Sequence, residues 1–146
     1  MSTFIPLISS GTAGPLGVLH LPRLWLKASL AANGKLDSRY PGAGQGYDQM
    51  TIDALGLSRD ALLAYIAESK PTYPQFEAWV KAQPGVKLDA DTVAAHNASV
   101  LGYNHDDETR QGVLAGSGLP DDGTVLDAIR LNDLDSWQEL YEAELK

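Results

Sequence analysis

The sequence predicts a mostly α fold: a compact orthogonal bundle of about six short helices with Gly/Pro-rich loops. Three observations carry this reading. Apolar residues recur at three- and four-residue steps between the glycines and prolines. Several of these segments open on a Ser, Thr or Asp at helix-capping spacing. No long apolar–polar alternation bounded by turn residues argues for a sheet.

Residues 1–16 read as an irregular N-terminal arm, with Ser9-Ser10-Gly11 and Gly14-Pro15 as turn signals. The first helix is expected to start near Pro22, because proline is favoured in a first helical turn, and to stop near Gly34. Leu24, Ala28 and Ala31 share a face of it, with Leu21 and Trp25 beside them. Residues 35–46 form a glycine-rich loop. A short helix follows, expected to be capped by Asp48 and ended by Gly56. Ser58 caps the next helix, whose buried stripe is Leu62, Leu63 and Ile66. Thr72 and Gln75 have capping-box spacing before Phe76, Trp79 and Val80. Leu88 and Val93 bracket an N-cap at Asp89 as a hydrophobic staple does, and that helix runs to Gly102. A weaker helix starts near Asp106 and ends at Gly116-Ser117-Gly118. The last helical pattern starts at Thr124 and is expected to break near Asn132, with Leu134, Trp137, Leu140 and Tyr141 at helical steps beyond it.

The 146 residues fit a single helical domain, large enough to bury a core without a staple. Cysteine is absent, which removes disulfides, thiolate nucleophiles and cysteine metal sites and suits a reducing compartment. The start, Met1-Ser2-Thr3-Phe4-Ile5-Pro6, lacks the basic and long apolar stretches of a signal peptide. No apolar run has membrane-spanning length. A cytoplasmic protein without membrane contact is therefore expected. The net charge of −8 is unevenly spread: eight acids balance eight Lys/Arg up to His105, whereas eleven acids face three from Asp106 onward. Residues 106–146 thus form an acidic C-terminal part. Such a surface repels phosphate backbones, which excludes nucleic acid as the expected partner.

Several motifs fail on chemistry. Gly42-Ala43-Gly44-Gln45-Gly46 lacks the preceding strand and the third glycine of a dinucleotide fingerprint, since Tyr47 stands in its place. Gly116-Ser117-Gly118 is not a Gly-x-Ser-x-Gly elbow. Asp106, Asp107 and Glu108 are adjacent, too close in sequence to share a helix face around a hard cation. His20, His96 and His105 include no pair at metal-binding helical spacing, and His96 sits beside an apolar stripe, where a hydrogen-bonded core histidine is the default. No metal or cofactor is expected.

One polar corner survives. His20 precedes the first helix, Arg23 and Lys27 lie one turn apart on it, and Trp25 is near; the following loop adds Tyr40, Tyr47 and Asp48. Two cations, an imidazole, aromatic surfaces and a carboxylate can clamp a carboxylate or phosphate, with the arginine fork and the helix N-terminus as donors. His20 is then the candidate general acid or base. The structural alternative pairs Arg23 with Asp53 or Asp48, leaves Lys27 solvated and puts Trp25 and Tyr47 in the core.

Leu21-Pro22-Arg23, Lys27-Ala28, Gly34, Tyr40, Asp48, Leu55-Gly56-Leu57 and Trp79 resemble the bacterial DUF5069 family of domains of unknown function, over residues 15–82. The resemblance implies a stand-alone bacterial protein and brings no reaction, cofactor or catalytic residue. Members often carry an acid before the helical lysine, where Leu26 stands here, and many an arginine at the place of Ser29. The leading expectation is a domain that binds, or acts on, a small anionic metabolite. The alternative is a protein-interaction or homo-oligomerisation module that uses residues 124–146 toward a basic partner or a second copy.

Overall fold

A computed structural model describes residues 2–146; Met1, the first residue of the arm, lies outside them. Seven α-helices follow one another: α1 Leu21–Ala32, α2 Tyr47–Leu55, α3 Arg59–Ser69, α4 Tyr73–Lys81, α5 Ala90–Gly102, α6 Asp107–Gly116 and α7 Ala128–Leu140. A π-helical turn, Tyr141–Leu145, continues α7. Among the described residues there is no strand, only isolated bridges such as Phe4 to Leu36 and Ala13 to Leu19. Among the described residues no helix is long and apolar enough to cross a membrane.

The main core is built on α1. Leu21, Leu24 and Ala28 lie on one stripe and pack with Leu62 and Ile66 of α3, Phe76 and Val80 of α4, and Ile52 and Leu55 of α2. Each of the Leu, Ile, Val and Phe side chains taken from water contributes about 1.5–3 kcal/mol. The helices begin where side-chain oxygens cap them. Ser58 accepts from Ala61 N, Thr72 and Gln75 close a reciprocal capping box, Asp89 accepts from Thr92 N and Asp106 from Thr109 N. Gly56 ends α2 with φ of 70°, and a Cβ there would sit 3.2 Å from the Gly85 carbonyl oxygen. That close approach lets Lys87 N donate to Leu55 O at 2.9 Å.

A second, smaller cluster joins Tyr47 of α2, Val100 of α5 and Ala128 of α7, with Leu19, Met50 and Ile129 around it. It ties the C-terminal helices to the α1–α2 corner. His96, on α5, is a core histidine: it is 3% exposed and its Nε2–H donates to Leu19 O at 3.0 Å.

Two expectations are corrected. The last helix, α7, is expected to break near Asn132 but runs unbroken through it from an N-cap at Asp127. The low helix propensity of one asparagine is outweighed by its tertiary contact, in which Asn132 Oδ1 accepts from His105 Nε2 at 2.8 Å. Ala128, Leu131 and Ser136 face inward on α7, while Trp137 and Tyr141 are exposed. Asp48 is not the cap of α2: Gly46 holds that place, and the Asp48 carboxylate is used elsewhere.

Candidate functional site

His20, Arg23 and Lys27 come together because α1 carries two faces. Its apolar stripe enters the core, and the positions beside it turn toward the 35–46 loop and α2. Arg23 and Lys27 are four residues apart, so they stack along the helix, and both are buried. His20 caps the helix with φ of 72°, in the left-handed region that a β-carbon disfavours. Two hydrogen bonds hold it there.

Asp48 is the hub. Its Oδ1 accepts from His20 Nε2 at 2.6 Å, and its Oδ2 accepts from Lys27 Nζ at 2.6 Å and from Gly44 N at 2.6 Å. Burial pushes this carboxyl up, but the His20 hydrogen bond and the Lys27 charge outweigh it and hold the group well below the usual carboxylate range. Asp48 also lies in the first turn of α2. The place an anion would take at that helix start is therefore occupied by the chain's own carboxylate. The glycine loop beneath is fixed from the other side by Arg59, which donates to the carbonyls of Ala43 and Gly44 and to Gln49 Oε1.

On the other ring nitrogen of His20, the Ser10 hydroxyl donates to Nδ1 at 2.9 Å. Burial lowers the His20 pKa, against the raising effect of Asp48, so the ring is neutral at pH 7. Hydroxyl, imidazole and carboxylate thus stand in series. Ser10, however, is fully buried, so nothing can reach its oxygen. Both ring nitrogens of His20 are engaged inside the protein, and the residue is 2% exposed.

Arg23 pairs with neither Asp48 nor Asp53. Its Nη1 donates to two backbone carbonyls of the arm, Pro6 O at 2.6 Å and Ile8 O at 2.9 Å. Among the described residues no carboxylate lies within 4 Å of the guanidinium, and its Nε and Nη2 make no hydrogen bond. Burial lowers its pKa although Tyr40, Asp48, Asp133 and Asp135 pull the other way. The guanidinium carbon lies 5.9 Å from the centre of the Tyr40 ring, a cation–π distance.

Beside these groups lies a cavity of about 320 Å³. One wall is His20, Arg23, Lys27, Tyr47 and Asp48; the loop contributes Arg39, Tyr40 and Gly44 to Gly46; the far wall is Tyr103, His105, Asn132 and Asp135. Tyr40 donates to Ser136 Oγ at 3.1 Å and Tyr47 to Val100 O at 2.7 Å, so both phenols are anchored and present their rings. Burial raises the pKa of both.

Six of the seven residues expected at the corner thus converge. The seventh, Trp25, does not line the cavity. Its indole donates to Pro71 O at 3.1 Å and packs edge-on against Tyr73 at 5.6 Å, on the α4 side of the helix, as its different helical face dictates. Lys27 is not solvated but paired with Asp48. The far wall was not foreseen. Asn132 and Asp135 lie over 100 residues from Arg23 in the chain, and the second core cluster, with the Ser9–Asp133 and Tyr40–Ser136 hydrogen bonds, ties α7 to this corner. Among the described residues no cluster of three or more His, Asp or Glu is arranged to hold a metal ion. No protein-family model matches the chain, and no curated protein matches it.

Proposed function

We propose that the domain binds a small anionic metabolite in this cavity, with Arg23 as the principal contact. The observation that supports the reading is the state of Arg23. It is a cation 6% exposed, with no carboxylate partner and with two nitrogens unused beside an open cavity. A buried charge without a counterion is costly, and a carboxylate or phosphate donated by a ligand would remove that cost. Lys27 and the rings of Tyr40 and Tyr47 complete the surface such a ligand would touch. The volume is within the lower range of metabolite sites. Binding is favoured over catalysis because the imidazole has no free nitrogen. The DUF5069 resemblance brings no reaction and does not alter this choice.

The test is thermal unfolding with phosphate, pyrophosphate, succinate and citrate. A ligand at about 100 times its Kd adds about 2.7 kcal/mol, a rise of several degrees in Tm. At least one of the four is expected to raise Tm saturably. Arg23→Lys, which keeps a cation for the arm's carbonyls but loses the fork, is expected to weaken that ligand at least tenfold. No shift from any of them, nor from any other carboxylate-bearing compound, at tens of millimolar would end the proposal.

A second reading rests on the C-terminal surface. Trp137 is 58% exposed and, with Leu119, Val125 and Leu134, lines a separate apolar groove of about 230 Å³ in the acidic part. A basic partner or a second copy fits that chemistry. Removing residues 124–146 would also remove Asn132 and Asp135 from the cavity wall. Trp137→Ser is therefore the clean variant: a drop in mass by light scattering supports self-association, and an unchanged mass counts against it.

A further inference from the structure

The charges around the cavity can be paired off. Lys27 is taken by Asp48 at 2.6 Å, and Arg39 by Asp37 at 2.9 Å. Two charged groups of opposite sign remain in the walls, Arg23 on α1 and Asp135 on α7. They do not pair with each other, since no ion pair within 4 Å joins them among the described residues. Asp135 is half-buried and accepts no hydrogen bond among the described residues.

From these two unmatched groups lining one cavity we infer that the ligand is a zwitterion: a carboxylate held by Arg23 and an ammonium held by Asp135. The inference rests on the anion-binding reading and narrows its substrate class to amino-acid-like compounds. A ligand with only an anionic group would leave Asp135 without a partner and place a second negative charge near it. A ligand with only an ammonium group would do the same to Arg23. A molecule carrying both signs satisfies both walls, and discrimination follows because an analogue lacking one group strands a half-buried charge.

His105 and Asn132 fit this arrangement. His105 Nε2–H is spent on Asn132 Oδ1 at 2.8 Å, so neither neutralises Asp135 directly. Burial raises the Asp135 pKa despite the opposing pull of Arg39, Arg23 and His105, as expected of a carboxylate without a bonded cation.

The experiment is an NMR titration of the full chain with glycine, β-alanine, 4-aminobutyrate and 6-aminohexanoate, set against propionate, butyrate and n-butylamine. The graded spacing of the amino acids samples the span between the walls. One member is expected to bind at least tenfold more tightly than its carboxylate counterpart. In Asp135→Asn that advantage is expected to vanish while carboxylate binding is kept or improved. If butyrate or propionate binds the wild type as tightly as every amino acid in the series, the zwitterion inference is overturned and anion binding stands. If no amino acid, carboxylate, phosphate or citrate binds, both readings fall. The wild-type comparison decides the matter without the variant, whose fold is checked by circular dichroism.

Discussion

The two walls of the cavity handle buried charge in opposite ways. On the α1–α2 wall, Asp48 satisfies His20, Lys27 and the Gly44 amide at once, and every polar atom of the hub is occupied. On the α7 wall, Asp135 accepts no hydrogen bond among the described residues; one turn on and outside the cavity lining, Glu139 Oε2 is buried without a hydrogen bond, 4.0 Å from Arg39 Nε. Burial raises both carboxyls above their ordinary range, whereas Asp48 is held far below it. The comparison teaches that burial alone does not decide a carboxylate's state. At Asp48 directed donors outweigh burial, whereas Asp135, which has none among the described residues, is left ready for a partner from outside. Arg23 belongs to α1 but behaves like the far wall, since its partners are carbonyl dipoles rather than an opposite charge.

The largest expected effect is on the satisfied wall. Asp48→Ala leaves Lys27 and His20 buried without a carboxylate and is expected to cost about 3–5 kcal/mol in chemical denaturation. The linkage sign is that of a carboxyl depressed by folding. Its contribution is complete above the unfolded value near 3.9 and is lost as pH falls below it, so the deficit of the variant is expected to shrink below about pH 4. A cost under about 1 kcal/mol at pH 7 would break the contrast between the walls.

Next comes Arg23→Ala. It strands the Pro6 and Ile8 carbonyls and is expected to cost about 2 kcal/mol and to raise hydrogen exchange in residues 2–12. Unchanged exchange in the arm would show that Arg23 does not tether it.

A smaller effect of the opposite sign is expected at Asp135→Asn, a rise in Tm of roughly 1–3 °C at pH 7. A carboxyl raised by folding contributes stability below its unfolded pKa and loses it as pH rises through the folded value. The advantage of the variant is therefore expected to vanish near pH 4, and a variant less stable at pH 7 would place Asp135 among the satisfied groups. The smallest effect is at Trp137→Ser, expected within about 0.5 kcal/mol because the ring is mostly exposed. A larger loss would mean that the ring packs into its own groove.

Much of this arrangement was legible in the chain. Caps are local, so Ser58, the Thr72–Gln75 box, Asp89 and Asp106 are read within four residues of their targets. The convergence of His20, Arg23, Lys27 and Asp48 was also legible, because a helix and the next loop are neighbours in space. What was not legible depends on long-range packing. Asp48 looks like a cap, and only the position of α1 above it shows that its oxygens serve His20 and Lys27. The partners of Arg23 are backbone carbonyls, which no side-chain pattern marks. Ser10 sits in an arm without periodicity. Asp135 and Asn132 reach the cavity through long-range contacts, the packing of Tyr47, Val100 and Ala128 and the hydrogen bonds of Ser9 to Asp133 and Tyr40 to Ser136.

The most direct test is the Arg23 guanidinium itself. In a 1H–15N spectrum of the arginine side chains, the Nε–H signal of Arg23 is followed through titration with the anion that gives the largest rise in Tm. The signal should move saturably, while that of Arg59, whose nitrogens are bonded to Ala43, Gly44 and Gln49, stays in place. An Arg23 signal that does not move at saturating anion would contradict the account.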